Sequence, residues 1–148
     1  MIKPYELRIG NLIAWNPRLS HPRTTLPSTQ VKVTSIFQNK IGYISPGIEH
    51  RVEPFEDDLS QIETPYRPLD ELEPIPLTAE MLEKCGFEKV ADETFIKGHL
   101  TLQKMQDYNG EVFLFNSAEL RPQITYVHQL QNFYFALTGE ELEVCLYN

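Results

Sequence analysis

The sequence predicts an α+β protein, with a small antiparallel β unit followed by an α-β-β-β-α-β module. Three observations support this prediction. Short apolar stretches separated by turn residues fill residues 1–52, whereas helical periodicity is confined to residues 77–148. Between these parts, residues 53–76 are acidic and rich in proline, which favours extended backbone. We therefore expect an ordered connector between an all-β module and an α+β module.

Composition restricts the class of protein. Of the 148 residues, 41% are hydrophobic and 23% are charged, values typical of a soluble globular protein. No run approaches the ~20 apolar residues that a membrane span requires. The N-terminal residues lack the apolar core of a secretion signal, and the two cysteines are widely spaced, so a cytoplasmic protein is expected.

Several short strands and no helix are expected in the first module. Alternating apolar residues and turn signals predict them, and Gly10 inside the first strand marks a bulge or a sharp bend. The expected strands are residues 7–15, 31–37, 41–44 and 48–52. This succession of short strands favours a small SH3-like barrel or a curled antiparallel sheet.

A short helix opens the C-terminal module. Thr78 is the expected N-cap, and Gly86 is placed to end the helix in the left-handed conformation. Cys85 lies in the last turn, where the negative end of the helix disfavours a thiolate. We therefore expect Cys85 to be a small core residue and not a nucleophile.

Strands follow this helix, and both helices of the module are expected on one face of their sheet. Three strands are expected, at residues 93–97, 100–105 and 111–115. Asn109 and Gly110 tolerate positive φ and give a strong hairpin signal between the last two. The alternation of apolar and polar residues after Gly139 predicts a final strand over residues 140–147.

The long helix predicted over residues 126–138 is the most strongly periodic segment, with Thr125 as its N-cap and Gly139 at its end. An apolar stripe is expected to pack on the sheet and comprises Tyr126, Val127, Leu130, Phe133, Tyr134 and Leu137. No charged side chain lies between Arg121 and Glu140, although the outer face of a helix normally carries Lys and Glu.

The face opposite this stripe carries His128, Gln131, Asn132 and Phe135. Contact surfaces between proteins favour aromatic residues and are poor in charge, so these four residues are candidates for binding a protein partner or a second copy. Burial of this face against the chain's own N-terminal module is the alternative. The sequence leaves both open.

A second candidate surface lies in the loop expected over residues 16–30. Trp15, Arg18, His21 and Arg23 combine an aromatic ring with cations, a combination that contacts phosphate groups. The net charge of −8 is uneven, because residues 1–52 carry +5 and the remainder carries −13. These features favour an anion or nucleic-acid contact, but a solvated loop closing the β unit is the alternative.

Signatures of catalysis and of cofactors are lacking. The glycines are scattered singly, so no phosphate loop is present, and no nucleophile elbow occurs. The four histidines are at least 29 residues apart and have no metal-ligand spacing. No catalytic, cofactor or metal residue is therefore predicted, and an enzyme whose site is assembled only by the tertiary structure stays open.

Two motifs resemble a group of small uncharacterised bacterial and prophage-borne proteins. PIPLTAEMLEKCGF at residues 74–87 matches a PIPLTxExLxKxGF pattern, and YVHQLQNFYFALTGEEL at residues 126–142 matches a YVHQLQNxYFALTGEEL pattern. LRIGN at residues 7–11 matches a strand at the start of such proteins. The resemblance implies no activity. We expect a non-enzymatic interaction or accessory protein of mobile-element origin, with nucleic-acid binding through the basic N-terminal part as the alternative.

Overall fold

The computed structural model describes residues 2, 6–25, 27–36, 40–44, 66–107, 110–115 and 122–145. They contain two antiparallel sheets and two α-helices, which confirms the predicted α+β class. The chain divides into two compact units, Met1–Ile75 and Pro76–Asn148. The strand expected at residues 48–52 and most of the acidic stretch, residues 53–65, lie outside the described residues.

The first unit contains a five-stranded sheet in the order β4-β3-β2-β1-β5, with every neighbouring pair antiparallel. Its strands are β1 (Leu12–Trp15), β2 (Thr29–Ile36), β3 (Lys40–Ile44), β4 (Tyr66–Pro68) and β5 (Leu72–Glu73). The first strand begins later than predicted because Gly10, at φ +96°, turns the chain between Arg8 and Asn11. The bend expected at Gly10 is confirmed.

The two edges of this sheet are formed by one nearly continuous segment. Only a 3-10 turn, Leu69–Glu71, separates β4 from β5, although these strands lie on opposite edges. Because a chain advances at most about 3.6 Å per residue, the edges must lie close together and the sheet must curl strongly. No ladder joins β4 to β5 in the described residues, so the sheet is curled without being a closed barrel.

The core of the first unit is formed by apolar side chains from the inner face of the curled sheet and from the N-terminal residues. Val31 and Val33 are both buried, as the alternation of β2 predicted. Trp15 and Ile36 pack against this core while remaining partly accessible. The cluster comprises Ile2, Leu7, Ile13, Val31, Val33, Ile41 and Leu72.

The second unit contains a sheet in the order β10-β9-β8-β7-β6, in which each strand pairs with its neighbour in sequence. Its strands are β6 (Glu88–Ala91), β7 (Thr94–Lys97), β8 (Leu100–Asp107), β9 (Gly110–Phe115) and β10 (Gln123–Ile124). The predicted hairpin is confirmed by the pairing of Asp107 with Gly110. The strand predicted over residues 140–147 is not formed by residues 140–145, and residues 146 and 147 lie outside the described part of the chain. The N–H of Cys145 instead donates to the carbonyl of Lys84 at 2.8 Å.

The first helix, α1 (Ala79–Lys84), has the predicted ends. The hydroxyl of Thr78 accepts a hydrogen bond from the N–H of Met81 at 3.2 Å, which caps the start of the helix. Gly86 adopts φ +86°, and the N–H of Phe87 donates to the carbonyl of Leu82 at 3.0 Å. This pattern is the Schellman motif, in which a left-handed glycine satisfies the last carbonyls of the helix.

The second helix, α2 (Val127–Thr138), ends at Gly139 with φ +72°, as predicted. Its N-cap is Tyr126 rather than the predicted Thr125. The side-chain oxygen of Gln129 accepts from the N–H groups of Tyr126 and Thr125, at 3.2 and 3.0 Å, as the N3 residue of a capping box does. Gln129 therefore favours Tyr126 as the N-cap, because it lies three residues after Tyr126.

Lys97 of β7 connects both helices to the same face of the sheet. Its ammonium group donates to the carbonyl of Cys85, at the end of α1, at 2.7 Å, and lies 5.5 Å from the ring centre of Tyr134 on α2. Phe133 of α2 contacts Phe115 of β9 with ring centres 5.4 Å apart. Both helices therefore pack on one face, as expected.

Replacing Gly86 by alanine should destabilise the chain by about 2 kcal/mol, because a Cβ costs energy at φ +86° and would lie 2.7 Å from the Nζ atom of Lys97. The ammonium group would have to shift, which weakens its hydrogen bond to the Cys85 carbonyl. Gly98→Ala is the matched control, since φ is +59° and no atom lies within 4 Å of the added Cβ. Its expected cost is about 1 kcal/mol. Equal losses in urea unfolding would show that displacement of Lys97 has no cost.

Candidate functional site

The apolar stripe predicted for α2 is buried at its start and exposed at its end. Val127 and Leu130 are fully buried, whereas Leu137 is 52% exposed. The prediction that Leu137 packs on the sheet is therefore wrong. All four residues of the last turn, 135–138, are exposed, so burial of this helix is confined to its earlier turns.

The four residues of the opposite face fall into two groups. His128 and Gln131 are buried, and the imidazole of His128 stacks on the ring of Tyr126 with centres 5.9 Å apart. Asn132 is half-buried, and Phe135 is 40% exposed. A partner that approaches the folded chain can therefore reach Phe135 and part of Asn132.

The last turn of α2 and the residues after it form a surface that we call the helix end: Phe135, Leu137, Glu140 and Glu143, all exposed. Phe135 and Leu137 are two positions apart, so they project from opposite sides of the helix. The last turn has no basic residue, and Glu140 directly follows Gly139 at the negative end of the helix dipole. Phe135 and Leu137 are therefore two separate apolar projections, followed in the sequence by carboxylates.

Two of the four loop candidates, Trp15 and His21, lie next to a carboxylate that the sequence did not single out. The indole Nε1 of Trp15 donates to Glu71 Oε2 at 2.9 Å, and the imidazole Nδ1 of His21 lies 3.8 Å from Glu71 Oε1. The side chain of Glu71 is only 7% exposed, whereas that of His21 is 72% exposed. Trp15, His21 and Glu71 therefore form one cluster, with the carboxylate at its buried side.

Asn16 fixes the start of this loop through its side chain and its backbone. Asn16 starts the 3-10 turn Pro17–Leu19, and its side-chain oxygen accepts from the N–H of Arg18 at 3.1 Å. The amide nitrogen of Asn16 donates to Glu73 Oε1 at 3.0 Å, while its backbone N–H donates to the carbonyl of Glu71 at 2.7 Å. The 3-10 turn before β5 and β5 itself thus hold the loop in place.

The first unit as a whole has no excess of basic residues, although residues 1–52 carry +5. Residues 66–75 belong to the first unit, which as a whole has eight Lys and Arg residues against ten Asp and Glu residues. Arg18 and Arg23 are exposed, but Glu71 and Glu73 contact residues of the same loop. A phosphate group that approached Trp15 would meet a buried carboxylate.

Glu71 was missed because nothing local marks it. It stands in an acidic, proline-rich segment, and 56 residues separate it from Trp15. One signal was available, since the indole N–H of a partly buried tryptophan normally has a hydrogen-bond acceptor and the chain has a single tryptophan. That requirement predicts an acceptor but does not say which one.

Cys85 is buried, which confirms the prediction that it is a core residue. Burial raises the pKa of its thiol from 9.0 to about 12, although the nearby ammonium group of Lys97 acts in the opposite direction. The thiol is therefore protonated near neutral pH and is a poor nucleophile. Cys145, by contrast, is exposed.

Metal ligands, membrane spans and known relatives give no further guide to function. Among the residues that the structure describes, no three His, Cys, Asp or Glu side chains are grouped so that they could hold a metal ion. Within the same part of the chain, no helix has both the length and the apolar content to cross a membrane. Comparisons with models of protein families, with curated proteins and with solved structures find no match.

Proposed function

We propose that the protein is a non-enzymatic interaction protein that binds a protein partner through the helix end. One observation carries this proposal: the last turn of an uncharged helix stands exposed, with Phe135 and Leu137 at 40% and 52% exposure. Large apolar side chains that remain accessible on an ordered helix lose contact with water when a partner covers them. Aromatic anchors of this kind contribute much of the binding energy in protein interfaces.

The helix end also favours a protein over a nucleic acid as the partner. Glu140 and Glu143 are exposed in the segment that follows the helix and would repel phosphate groups. Nucleic-acid binding by the first unit, the alternative proposal, has less support because Glu71 and Glu73 contact the loop that carries Arg18.

The proposal includes an SH3-like form for the first unit, supported by its curled sheet and by the 3-10 turn between β4 and β5. It also includes an accessory role in mobile elements, supported by the sequence motifs.

The test is affinity capture from cells of the source organism, with a covalent crosslinker and the full chain as bait. Replacing Phe135 and Leu137 together by serine should reduce recovery of at least one protein by about tenfold, the effect of losing an anchor worth about 1.4 kcal/mol. Val90→Ser is the matched control, because Val90 is an exposed apolar residue of β6 and not of the helix end. Its recovery should equal that of the wild type.

Two outcomes would contradict the proposal. In the first, every protein is recovered equally by the double variant and by Val90→Ser. In the second, the protein retards DNA or RNA at low salt and captures no protein. Sedimentation velocity over a range of concentrations tests the self-association form. In that form the wild type should become heavier with concentration, while the double variant should remain a monomer.

A further inference from the structure

The side chain of Glu71 is buried and has two polar neighbours, Trp15 and His21. Its side chain is 7% exposed, yet Oε2 accepts one hydrogen bond, from the neutral indole of Trp15 at 2.9 Å. Oε1 faces Nδ1 of His21 at 3.8 Å, which is too long for a hydrogen bond. Removing a carboxylate from water is costly unless a well-placed cation and further hydrogen bonds compensate it. Among the described residues, Oε1 therefore has no hydrogen-bond donor within reach.

His21 covers this oxygen from the solvent side without being fixed in place. The backbone of the residue is held by the loop, because its N–H donates to the carbonyl of Pro17 at 2.9 Å and its carbonyl accepts from Thr24 at 3.0 Å. The side chain itself is 72% exposed. The imidazole can therefore turn into solvent while the loop keeps its conformation, which would expose Oε1 and the accessible part of Trp15.

We propose that Glu71 and Trp15 form a binding site for a guanidinium or ammonium group, supplied by an Arg or Lys side chain of a protein ligand. The cation would take the place of the His21 imidazole at Oε1 and form the charge-assisted hydrogen bond that this oxygen lacks. Trp15 is half-buried, and the face of an indole ring attracts cations. Arginine should bind better than lysine, because its planar group both stacks and donates in a fixed direction.

This site has the opposite charge preference from the one that the sequence predicted around Trp15. An aromatic residue among arginines predicted a phosphate contact, but the nearest group to the indole N–H is a carboxylate. Arg18 and Arg23 oppose a bound cation through their long-range charge, so Arg18→Gln should tighten binding. The site lies in the first unit and does not involve the helix end, so it goes beyond the proposed function and can fail independently of it.

The chain has one tryptophan, so its indole N–H gives a single signal in a ¹H–¹⁵N correlation spectrum and reports on this site directly. The spectrum should be recorded during titration with the peptide acetyl-Gly-Arg-Gly-amide. The matched ligand is the same peptide with citrulline, which has nearly the same shape as arginine but no charge. The arginine peptide should shift the indole signal to saturation, with an affinity about tenfold higher than that of the citrulline peptide.

Two variants separate the roles of the cluster. Glu71→Gln keeps an acceptor for the indole and should weaken arginine binding about tenfold, to the level of the citrulline peptide. His21→Ala should strengthen binding severalfold, because it removes the group that covers Oε1. The proposal is overturned if both peptides shift the indole signal equally, if inorganic phosphate shifts it and the arginine peptide does not, or if His21→Ala weakens binding. The first two results come from the wild type, so they hold even if a variant fails to fold.

Discussion

The free energy of unfolding should fall by about 4 kcal/mol between pH 9 and pH 12 because of the thiol of Cys85. Burial raises its pKa from 9.0 to about 12. The unfolded chain therefore loses this proton near pH 9, while the folded chain keeps it until about pH 12. The contribution of the thiol to stability is complete below pH 9 and is lost as the pH rises, at about 1.4 kcal/mol per pH unit.

Cys85→Ala is the control, because lysines and tyrosines also titrate at these pH values and their effects appear in both proteins. Urea unfolding followed by circular dichroism at each pH gives the two stability profiles. We expect parallel profiles below pH 9 and a steeper decline of the wild type above it. Profiles that stay parallel up to pH 12 would show that the Cys85 thiolate is tolerated in the folded chain. Both proteins should carry Cys145→Ser, so that the exposed thiol does not oxidise.

Replacing Trp15 by phenylalanine should cost about 2 to 3 kcal/mol of stability. The substitution keeps an aromatic ring but removes the indole donor, so the buried carboxylate of Glu71 loses the hydrogen bond at 2.9 Å. Hydrogen bonds to charged groups contribute about 1.5 to 3 kcal/mol, and leaving a buried charge without one adds its desolvation cost. Unfolding in urea, followed by far-ultraviolet circular dichroism, measures the loss.

A double-mutant cycle with Glu71→Gln tests the cause of this loss. The glutamine has no charge to leave uncompensated, so adding Trp15→Phe to the Glu71→Gln chain should cost less than about 1 kcal/mol. Identical costs of Trp15→Phe in both backgrounds would mean that packing of the larger ring, and not its hydrogen bond, stabilises the unit. Glu71→Gln alone should have a small effect on stability, because it removes a buried charge and keeps an acceptor.

The helices could be predicted from the sequence because their ends depend on adjacent residues. Thr78, Gly86 and Gly139 act within one helical turn, so their roles follow from residue type and spacing. The strands β4 and β5 could not be predicted in the same way. Their partners lie far away in sequence, and the prolines of this segment favour extended backbone whether or not it pairs.

Two errors show what a periodic pattern does and does not establish. Along residues 141–145, Leu142 is buried while Glu141 and Glu143 are exposed, so the alternation predicted the correct sides but not a ladder. Strand β6 was missed for the converse reason. It pairs with β7, but all four of its residues are exposed and carry no alternation. Periodicity reports which side chains are covered, and hydrogen-bonded pairing has to be known separately.

The structure brings together two of the four loop residues that the sequence singled out. Trp15 and His21 both lie next to Glu71, which comes from a segment that the sequence placed in a connector. On α2, Phe135 is accessible, whereas His128 and Gln131 are buried. Residue type indicates chemical capacity. Burial, which decides whether that capacity reaches a ligand, depends on how far each helix extends past its sheet.

The edge strands of the first sheet have a consequence for how the chain folds. In the second sheet every strand pairs with its sequence neighbour, so hairpins can form one after another over short loops. In the first sheet, β1 can pair with β5 only after the intervening chain has been synthesised. The hydrogen bond between Trp15 and Glu71 likewise joins residues 56 positions apart. Closing such a long loop costs entropy before any contact compensates it, so the first unit should fold more slowly. During synthesis, the free edge of β1 stays open to pairing with other chains until residue 73 has left the ribosome.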